Sequence, residues 1–279
     1  LGVDSVPYQL DATVAAIRSI APSLFRMTLH CPAIARSSLP GNFVHILTSK
    51  AGEPFWRRAY SVHDVNTTEG IFEIIFKVVG RGTSSLSRMK KGDMLNLLGP
   101  LGNSFTPPHK KNIVALVAGG VGVPPLHFFA KTLLQKKKLP PRNILFYVGM
   151  RTRSEHFDLP ELWRMRVNLF PATDDGSFGY RGLVTSCFKE AIQSTSLALD
   201  DLKVYTCGPE EMLKEMARLS AKYNIPCEAS LETAMPCGIG ACMGCTVKVK
   251  GTQGHESFDL KRVCKNGPVF PLEEIIWHD

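Results

Sequence analysis

Three cysteines, Cys237, Cys242 and Cys245, stand within the nine residues C-G-I-G-A-C-M-G-C, and Cys264 follows after a gap of eighteen. The spacing C-x4-C-x2-C…C is the plant-type ligand pattern for a [2Fe–2S] cluster. It constrains the fold strongly. Four thiolates must converge on two irons, so one tight loop supplies three of them and the chain must return with the fourth. The glycines at 238, 240 and 244 let that loop curl with its backbone N–H groups toward the sulfurs. A structural zinc site usually pairs two C-x2-C knuckles instead. A cluster of this kind carries one electron at a time.

At 279 residues the chain has room for two domains and a small appendage. Its charge of +8, from 33 basic and 25 acidic residues, raises the question of nucleic acid. The charges are scattered, however, and the tight runs Lys110-Lys111 and Lys136-Lys137-Lys138 read as solvated faces. A basic surface of this kind also suits an acidic partner or anionic cofactors. No apolar run reaches the ~18 residues of a membrane span, and Leu1–Ala12 lacks the apolar centre of a signal peptide. Cys31, Cys187, Cys207 and Cys227 are spread singly, without the spacing of a disulfide framework. Unpaired thiols beside a cluster suggest a reducing cytoplasm.

Residues 1–108 read as β-rich. Asn42–Leu47, Ile71–Val79 and Met94–Leu98 are short, apolar or β-branched, and broken by Gly, Pro and Asn, which suggests an antiparallel barrel. Thr106-Pro107-Pro108 marks a boundary. From 109 to 226, strand and helix alternate: strands at Ile113–Ala118, Ile144–Val148, Val167–Phe170 and Val204–Thr206, helices after Pro125 and over Pro209–Lys222. That alternation argues a parallel α/β sheet. Residues 227–279 form a third unit, too small for a large core and stapled by the cluster. The expected fold class is thus α+β multidomain.

Several short motifs fall at places where ligands bind. Gly119, Gly120 and Gly122 lie in G-G-V-G-V-P-P, between a buried strand and a helix, where backbone N–H groups and the helix terminus favour a pyrophosphate. The acidic ribose clamp expected after the second strand is missing; Arg151 and Arg153 stand there, so NAD and NADP both remain open. Cys207-Gly208-Pro209 follows the last strand of the unit, at a carboxyl-end crevice that could floor a nicotinamide or simply start a helix. In the barrel, Arg57-Arg58-Ala59-Tyr60-Ser61 combines guanidinium groups for phosphate with a phenol for stacking, or is an ordinary strand. Gly80-Arg81-Gly82-Thr83 offers a second turn of amides, and Asp174-Asp175-Gly176-Ser177 a turn whose carboxylates suit ribose hydroxyls. No zincin, nucleophile-elbow or Walker A motif is present.

Taken together, these motifs resemble the ferredoxin–NADP reductase superfamily: R-A-Y-S at 58–61, G-x-G-T at 80–83, G-G-x-G-x-P at 119–124 and C-G-P at 207–209. Within it, the chain is most similar to the electron-transfer subunits of class 1B dihydroorotate dehydrogenases. G-P-L-G-N-S-F at 99–105, T-D-D-G-S-F-G at 173–179, P-C-E-A-S-L-E at 226–232, the cluster loop and V-C-K-N-G-P-V-F at 263–270 carry that similarity. The resemblance covers residues 10–272. It implies FAD in the barrel, held by Arg58, Ala59, Tyr60, Ser61, Ile75, Phe76, Lys77, Gly82 and Thr83. It implies NAD(H) at Gly119, Gly120, Gly122, Cys207, Gly208 and Pro209, with Ser61 and Cys207 as flavin and nicotinamide neighbours. Cys237, Cys242, Cys245 and Cys264 become the iron ligands. No side chain acts as a catalytic group, since the flavin exchanges hydride. The implied partner is an FMN-containing dihydroorotate dehydrogenase catalytic subunit, two of each chain forming a cytoplasmic heterotetramer that serves pyrimidine synthesis. Two departures, Tyr60 in place of a Pro-Ile pair and the long gap before Cys264, leave room for a related NAD(P)H-dependent ferredoxin or sulfide reductase subunit. One such relative has an Asp for a cluster Cys, and Cys237 argues against that branch. A redox sensor that uses the cluster as a switch is a third reading.

Overall fold

The computed structural model describes residues 8–48, 55–109, 113–136, 138–194, 199–251 and 258–277. The lysine runs at 110–111 and 136–138 fall wholly or partly outside them.

Six strands close an antiparallel barrel: β1 (Tyr8–Ala21), β2 (Leu24–His30), β3 (Phe43–Ile46), β4 (Arg58–Asn66), β5 (Ile71–Lys77) and β6 (Met94–Leu101), in the order β1-β2-β5-β4-β3-β6. Closure removes exposed strand edges. Alternate side chains such as Met27, Leu29, Val44, Ile46, Val62, Phe72 and Ile74 fill the interior. Helices α1 (Pro32–Ser37) and α2 (Arg81–Ser87) lie in the connections.

The second layer is a seven-stranded sheet. Its elements are β7 (Ile113–Gly119), α3 (Val123–Gln135), β8 (Ile144–Met150), α4 (Leu159–Arg164), β9 (Asn168–Thr173), β10 (Tyr180–Arg181), α5 (Val184–Ser194), β11 (Leu202–Cys207), α6 (Glu210–Tyr223) and β12 (Cys227–Ser230). The order is β10-β9-β8-β7-β11-β12-β15, with β15 (Val269–Pro271) antiparallel at the edge. Central β7 is buried on both faces, which explains its unbroken apolar sequence. The chain turns one way from β7 to β8 and the other way to β11, so β7 and β11 flank a switch point that opens a crevice at their carboxyl ends. Pro124 and Pro125 start α3, where a missing N–H costs nothing.

The chain does not divide cleanly at 226 and 227. β12 continues the parallel sheet from β11, and β15 closes its edge. Between them lie the cysteine loop, the hairpin β13 (Thr246–Lys250) and β14 (Phe258–Arg262), and the short α7 (Val263–Asn266). The barrel is fastened to this tail by Asn103. Its backbone N–H donates to the Gly267 carbonyl (2.7 Å) and its amide nitrogen to the Val269 carbonyl (2.8 Å), while its amide oxygen accepts from the Val269 N–H (2.9 Å). At the other junction, the Tyr205 hydroxyl donates to the Thr106 carbonyl (2.6 Å) and the Thr106 N–H to the Glu228 carboxylate (2.8 Å). Phe128 of α3 reaches into the barrel core. Among the described residues no helix is long and apolar enough to cross a membrane.

Candidate functional site

A cavity of about 760 Å³ opens where the barrel, the β7–α3 turn and the approach to the cysteine loop meet. β4 brings Arg58, Ala59, Tyr60 and Ser61 to its wall, β5 brings Ile75, Phe76 and Lys77, and α2 brings Thr83. Val121 and Pro124 come from the β7–α3 turn, and Ser230–Pro236 close the far side.

The two adjacent arginines have different roles. Arg57 is tied to β6 through the side chain and carbonyl of Asn96 and to the His45 carbonyl. Arg58 lies at the cavity over Gly82, where an added Cβ would stand 3.0 Å from its Nε. Gly82 is therefore not a lining residue; its missing side chain is what lets the guanidinium settle there. Tyr60 is buried, its hydroxyl has no hydrogen-bond partner among the described residues, and burial pushes its pKa well up. An orphaned buried hydroxyl on a cavity wall fits a polar ligand that completes it. Thr83 Oγ1 accepts from the N–H groups of Val79 (2.9 Å) and Gly80 (3.2 Å), which fixes the turn below Arg58. Lys77 reaches Glu155 at 3.4 Å, linking β5 to the α/β layer.

The glycines of the second motif do not line this cavity. Gly122 sits so close to the Cys207 carbonyl and the Gly208 nitrogen that a Cβ would overlap them. G-G-V-G and C-G-P are thus packed backbone to backbone at the ends of neighbouring parallel strands, with Cys207 opposite Ala118. Gly120, at φ +55°, has open space where a side chain would be. That surface leaves the turn free to meet a phosphate. Pro209 precedes α6 and packs against Gly119. Cys207 is buried, its thiol pushed well up by burial and by the nearby Glu232, so it remains protonated behind the wall that Ser230 and Glu232 form. Arg151 is paired with Glu155, and Arg153 lies over the Phe178 ring at 5.6 Å. Asp175 is occupied in its own turn, accepting from the Ser177 N–H and hydroxyl.

The four cysteines named from spacing come together in two pairs. The Cys242 N–H approaches Cys237 Sγ at 3.5 Å and the Cys264 N–H approaches Cys245 Sγ at 3.4 Å. The β13–β14 hairpin spans the eighteen-residue gap and returns Cys264 beside Cys245; the Val263 N–H donates to the Cys245 carbonyl (3.0 Å). Gly238 and Gly240 have φ of +71° and +82°, which favours glycine. Although burial works against it, the N–H groups of Cys242, Ile239 and Ala241 bring the Cys237 thiol down to about 6. Burial and the neighbouring Cys245 push Cys264 up to about 12. Two thiol pairs with converging amides suit two tetrahedral irons. Below the loop, buried His45 of β3 fills the space that a side chain at Gly238 would need; burial holds its imidazole near 4 and therefore neutral.

Sequence reasoning missed the wall at 230–236, together with Phe43, Trp56 and Pro268. P-C-E-A-S-L-E at 226–232 marked the stretch as a resemblance but gave it no role.

Comparison with known proteins agrees with this geometry part by part. Residues 11–105 match the family model of the oxidoreductase FAD-binding domain and residues 116–218 the oxidoreductase NAD-binding domain. Residues 232–276 match the iron–sulfur cluster binding domain of dihydroorotate dehydrogenase B. The dihydroorotate dehydrogenase B (NAD(+)) electron transfer subunit of Desulforamulus reducens is 38% identical, with 96% of this chain and 98% of that one covered. Its counterpart from Caldanaerobacter subterraneus subsp. tengcongensis is 37% identical over 97% and 99%. Among solved structures, an NADH-dependent reduced ferredoxin-NADP oxidoreductase, described for flavin-based electron bifurcation, superposes with a TM-score of 0.82 at 30% identity, over 95% of this chain and 90% of that one. The ferredoxin reductase of a carbazole 1,9a-dioxygenase shares the fold, with a TM-score of 0.68 at 23% identity over 80% and 68%.

Proposed function

The chain belongs to the family of dihydroorotate dehydrogenase B electron transfer subunits, and from that membership we propose how its residues serve electron transfer between a dihydroorotate-oxidising partner and NAD⁺. It is an oxidoreductase subunit with FAD-binding, NAD-binding and iron–sulfur domains. FAD takes up one or two electrons and a [2Fe–2S] cluster one, so together they connect a one-electron partner to a two-electron carrier. The single observation that carries the reading is the shared cavity: flavin-type strand residues, the nucleotide turn and the segment leading into the cysteine loop all border one space.

In this reading Arg58, Tyr60 and Ser61 hold FAD with Ala59, Ile75, Phe76, Lys77 and Thr83, and Gly82 seats Arg58. Gly119, Gly120 and Gly122 receive the dinucleotide phosphates, while Gly208 and Pro209 set the adjoining turn. Cys237 with Cys242, and Cys245 with Cys264, hold the irons. Ile239 and Met243, exposed on the cysteine loop, offer apolar contacts to a protein partner where electrons would enter. The partner is an FMN-containing catalytic subunit, in a cytoplasmic assembly of two of each chain that serves pyrimidine synthesis.

The decisive experiment is anaerobic NAD⁺ reduction driven by dihydroorotate, with a catalytic subunit from the same source, with and without this chain. Reduction that needs both proteins supports the proposal. Cys242→Ser should remove iron and stop partner-linked reduction while NADH still bleaches the flavin. Partner-linked turnover in that cluster-free variant would contradict the route. The likeness to the reduced ferredoxin-NADP oxidoreductase at a TM-score of 0.82 favours a second reading, a reductase subunit with another partner. It predicts no dihydroorotate-driven reduction, with rapid flavin bleaching by NAD(P)H retained.

A further inference from the structure

Four side chains outside the flavin cavity converge where the barrel meets the α/β layer. His63 comes from β4, His127 from α3, Asp158 from the N-cap of α4 and Glu161 from its first turn. One donor atom from each lies within 4.8 Å of the others, and all but Glu161 are buried. His63 Nε2 stands 3.6 Å from Asp158 Oδ1 and 3.9 Å from Glu161 Oε2. Those distances are too long for hydrogen bonds. The separation of His63 Nε2 from Glu161 Oε2 closes with a small side-chain shift to the ~3.3 Å between two donors sharing one tetrahedral zinc, given bonds of about 2.0 Å. Among the described residues neither nitrogen of this fully buried imidazole has a hydrogen-bond partner. A buried ring so placed leaves both polar atoms unsatisfied unless something else takes them.

Charge points the same way. Arg26, 5% exposed, bonds Asp158 Oδ1 at 2.9 Å and Glu161 Oε1, and lies 3.6 Å from Glu73. One buried guanidinium thus faces three carboxylates. Arg18 approaches Glu161 only at 3.9 Å and from solvent. The arginine engages the outer oxygens, leaving Asp158 Oδ2 toward His127 Nδ1 (2.5 Å) and Glu161 Oε2 toward His63. A pocket of about 380 Å³ bordered by Arg26, Glu73, Asp64 and Lys131 reaches the group at Glu161.

We propose that His63, His127, Asp158 and Glu161 form a site for a divalent first-row cation, zinc by its ligand set, that clamps the barrel to the α/β layer. Two imidazoles and two carboxylates suit zinc. The cation takes the place of the hydrogen at His127 Nδ1; the neutral ring then carries its one N–H on Nε2, any second proton going to solvent, and the His127–Asp158 pair opens to roughly the donor spacing of a tetrahedral ion. Arg26 holds the carboxylates from outside.

The test uses the full chain with FAD and its cluster in place, kept anaerobic, incubated with zinc(II), desalted and measured for zinc and iron by plasma mass spectrometry. The proposal expects one zinc per chain with iron undiminished. It expects at least a tenfold loss of zinc in His127→Gln and in Glu161→Gln, again with iron undiminished, and a zinc-dependent rise in melting temperature confined to the parent protein. Glu161 is partly exposed, so its variant tests the site even if the buried histidine variant fails to fold. No retained zinc, equal retention in a folded variant, or zinc gained only as iron is lost would each overturn the site.

Discussion

A carboxyl on the wall of the cavity proposed for FAD works against negatively charged ligands nearby once it ionises. Glu232 lines that cavity, and burial among protein atoms raises its pKa above the ordinary carboxylate range. It is therefore neutral at lower pH and negative above the raised value. The Michaelis constant for NADH in flavin reduction should rise with pH across that ionisation by on the order of fivefold, the effect of about 1 kcal/mol between unit charges ~4 Å apart screened by water. Glu232→Gln should give the low value throughout; a variant that keeps the pH dependence would assign it to another group. The residue lies within the cysteine-free stretch 228–236, so no spacing pattern pointed to it. Arg58, Tyr60 and the four cysteines were legible because stacking, phosphate binding and iron ligation demand particular side chains at short, fixed intervals. His63, His127, Asp158 and Glu161 were not, because they meet only after three separate elements have packed.

Elements are joined here by a few polar residues whose positions have no periodic signature. Asn103 stands in G-P-L-G-N-S-F, outside the last barrel strand, and binds the tail through its backbone and both ends of its amide. Asn103→Ala should lower stability by about 2–3 kcal/mol, because three side-chain hydrogen bonds, to Asn266 and Val269, go and the Val269 N–H is left unpaired. Asn103→Asp, which keeps the acceptor for Val269, should cost less. Equal denaturant midpoints for the two variants would mean that the Val269 contact contributes little. The same joint runs across the division that the sequence suggests between second and third units. β7 and β8 show themselves as long apolar runs, whereas β12 is four residues of mixed character and β15 only three. Short edge strands take their place from the partners they pair with, not from their own composition.

At the scale of the whole molecule, the segment 230–236 belongs to two sites at once. It walls the cavity and then enters the cysteine loop at Cys237. On its near side it is held by β12 and by the Leu231 N–H, which donates to the Pro268 carbonyl (2.9 Å). On its far side the segment runs into the iron-binding loop, whose pairs Cys237–Cys242 and Cys245–Cys264 are joined by N–H···S contacts of 3.4–3.5 Å. Four thiolates bound to two irons would hold that loop far more firmly than these two contacts, so cluster formation is what anchors the segment. Flavin retention should then depend on iron: chelating the irons under anaerobic conditions should speed FAD release by on the order of tenfold, equivalent to about 1.4 kcal/mol. The appearance of free-flavin fluorescence after dilution measures it directly. Cys242→Ser should release FAD as fast as the chelated parent. An unchanged release rate in both would show that the wall keeps its place without the cluster, and that the two cofactor sites share a border but no energetic coupling.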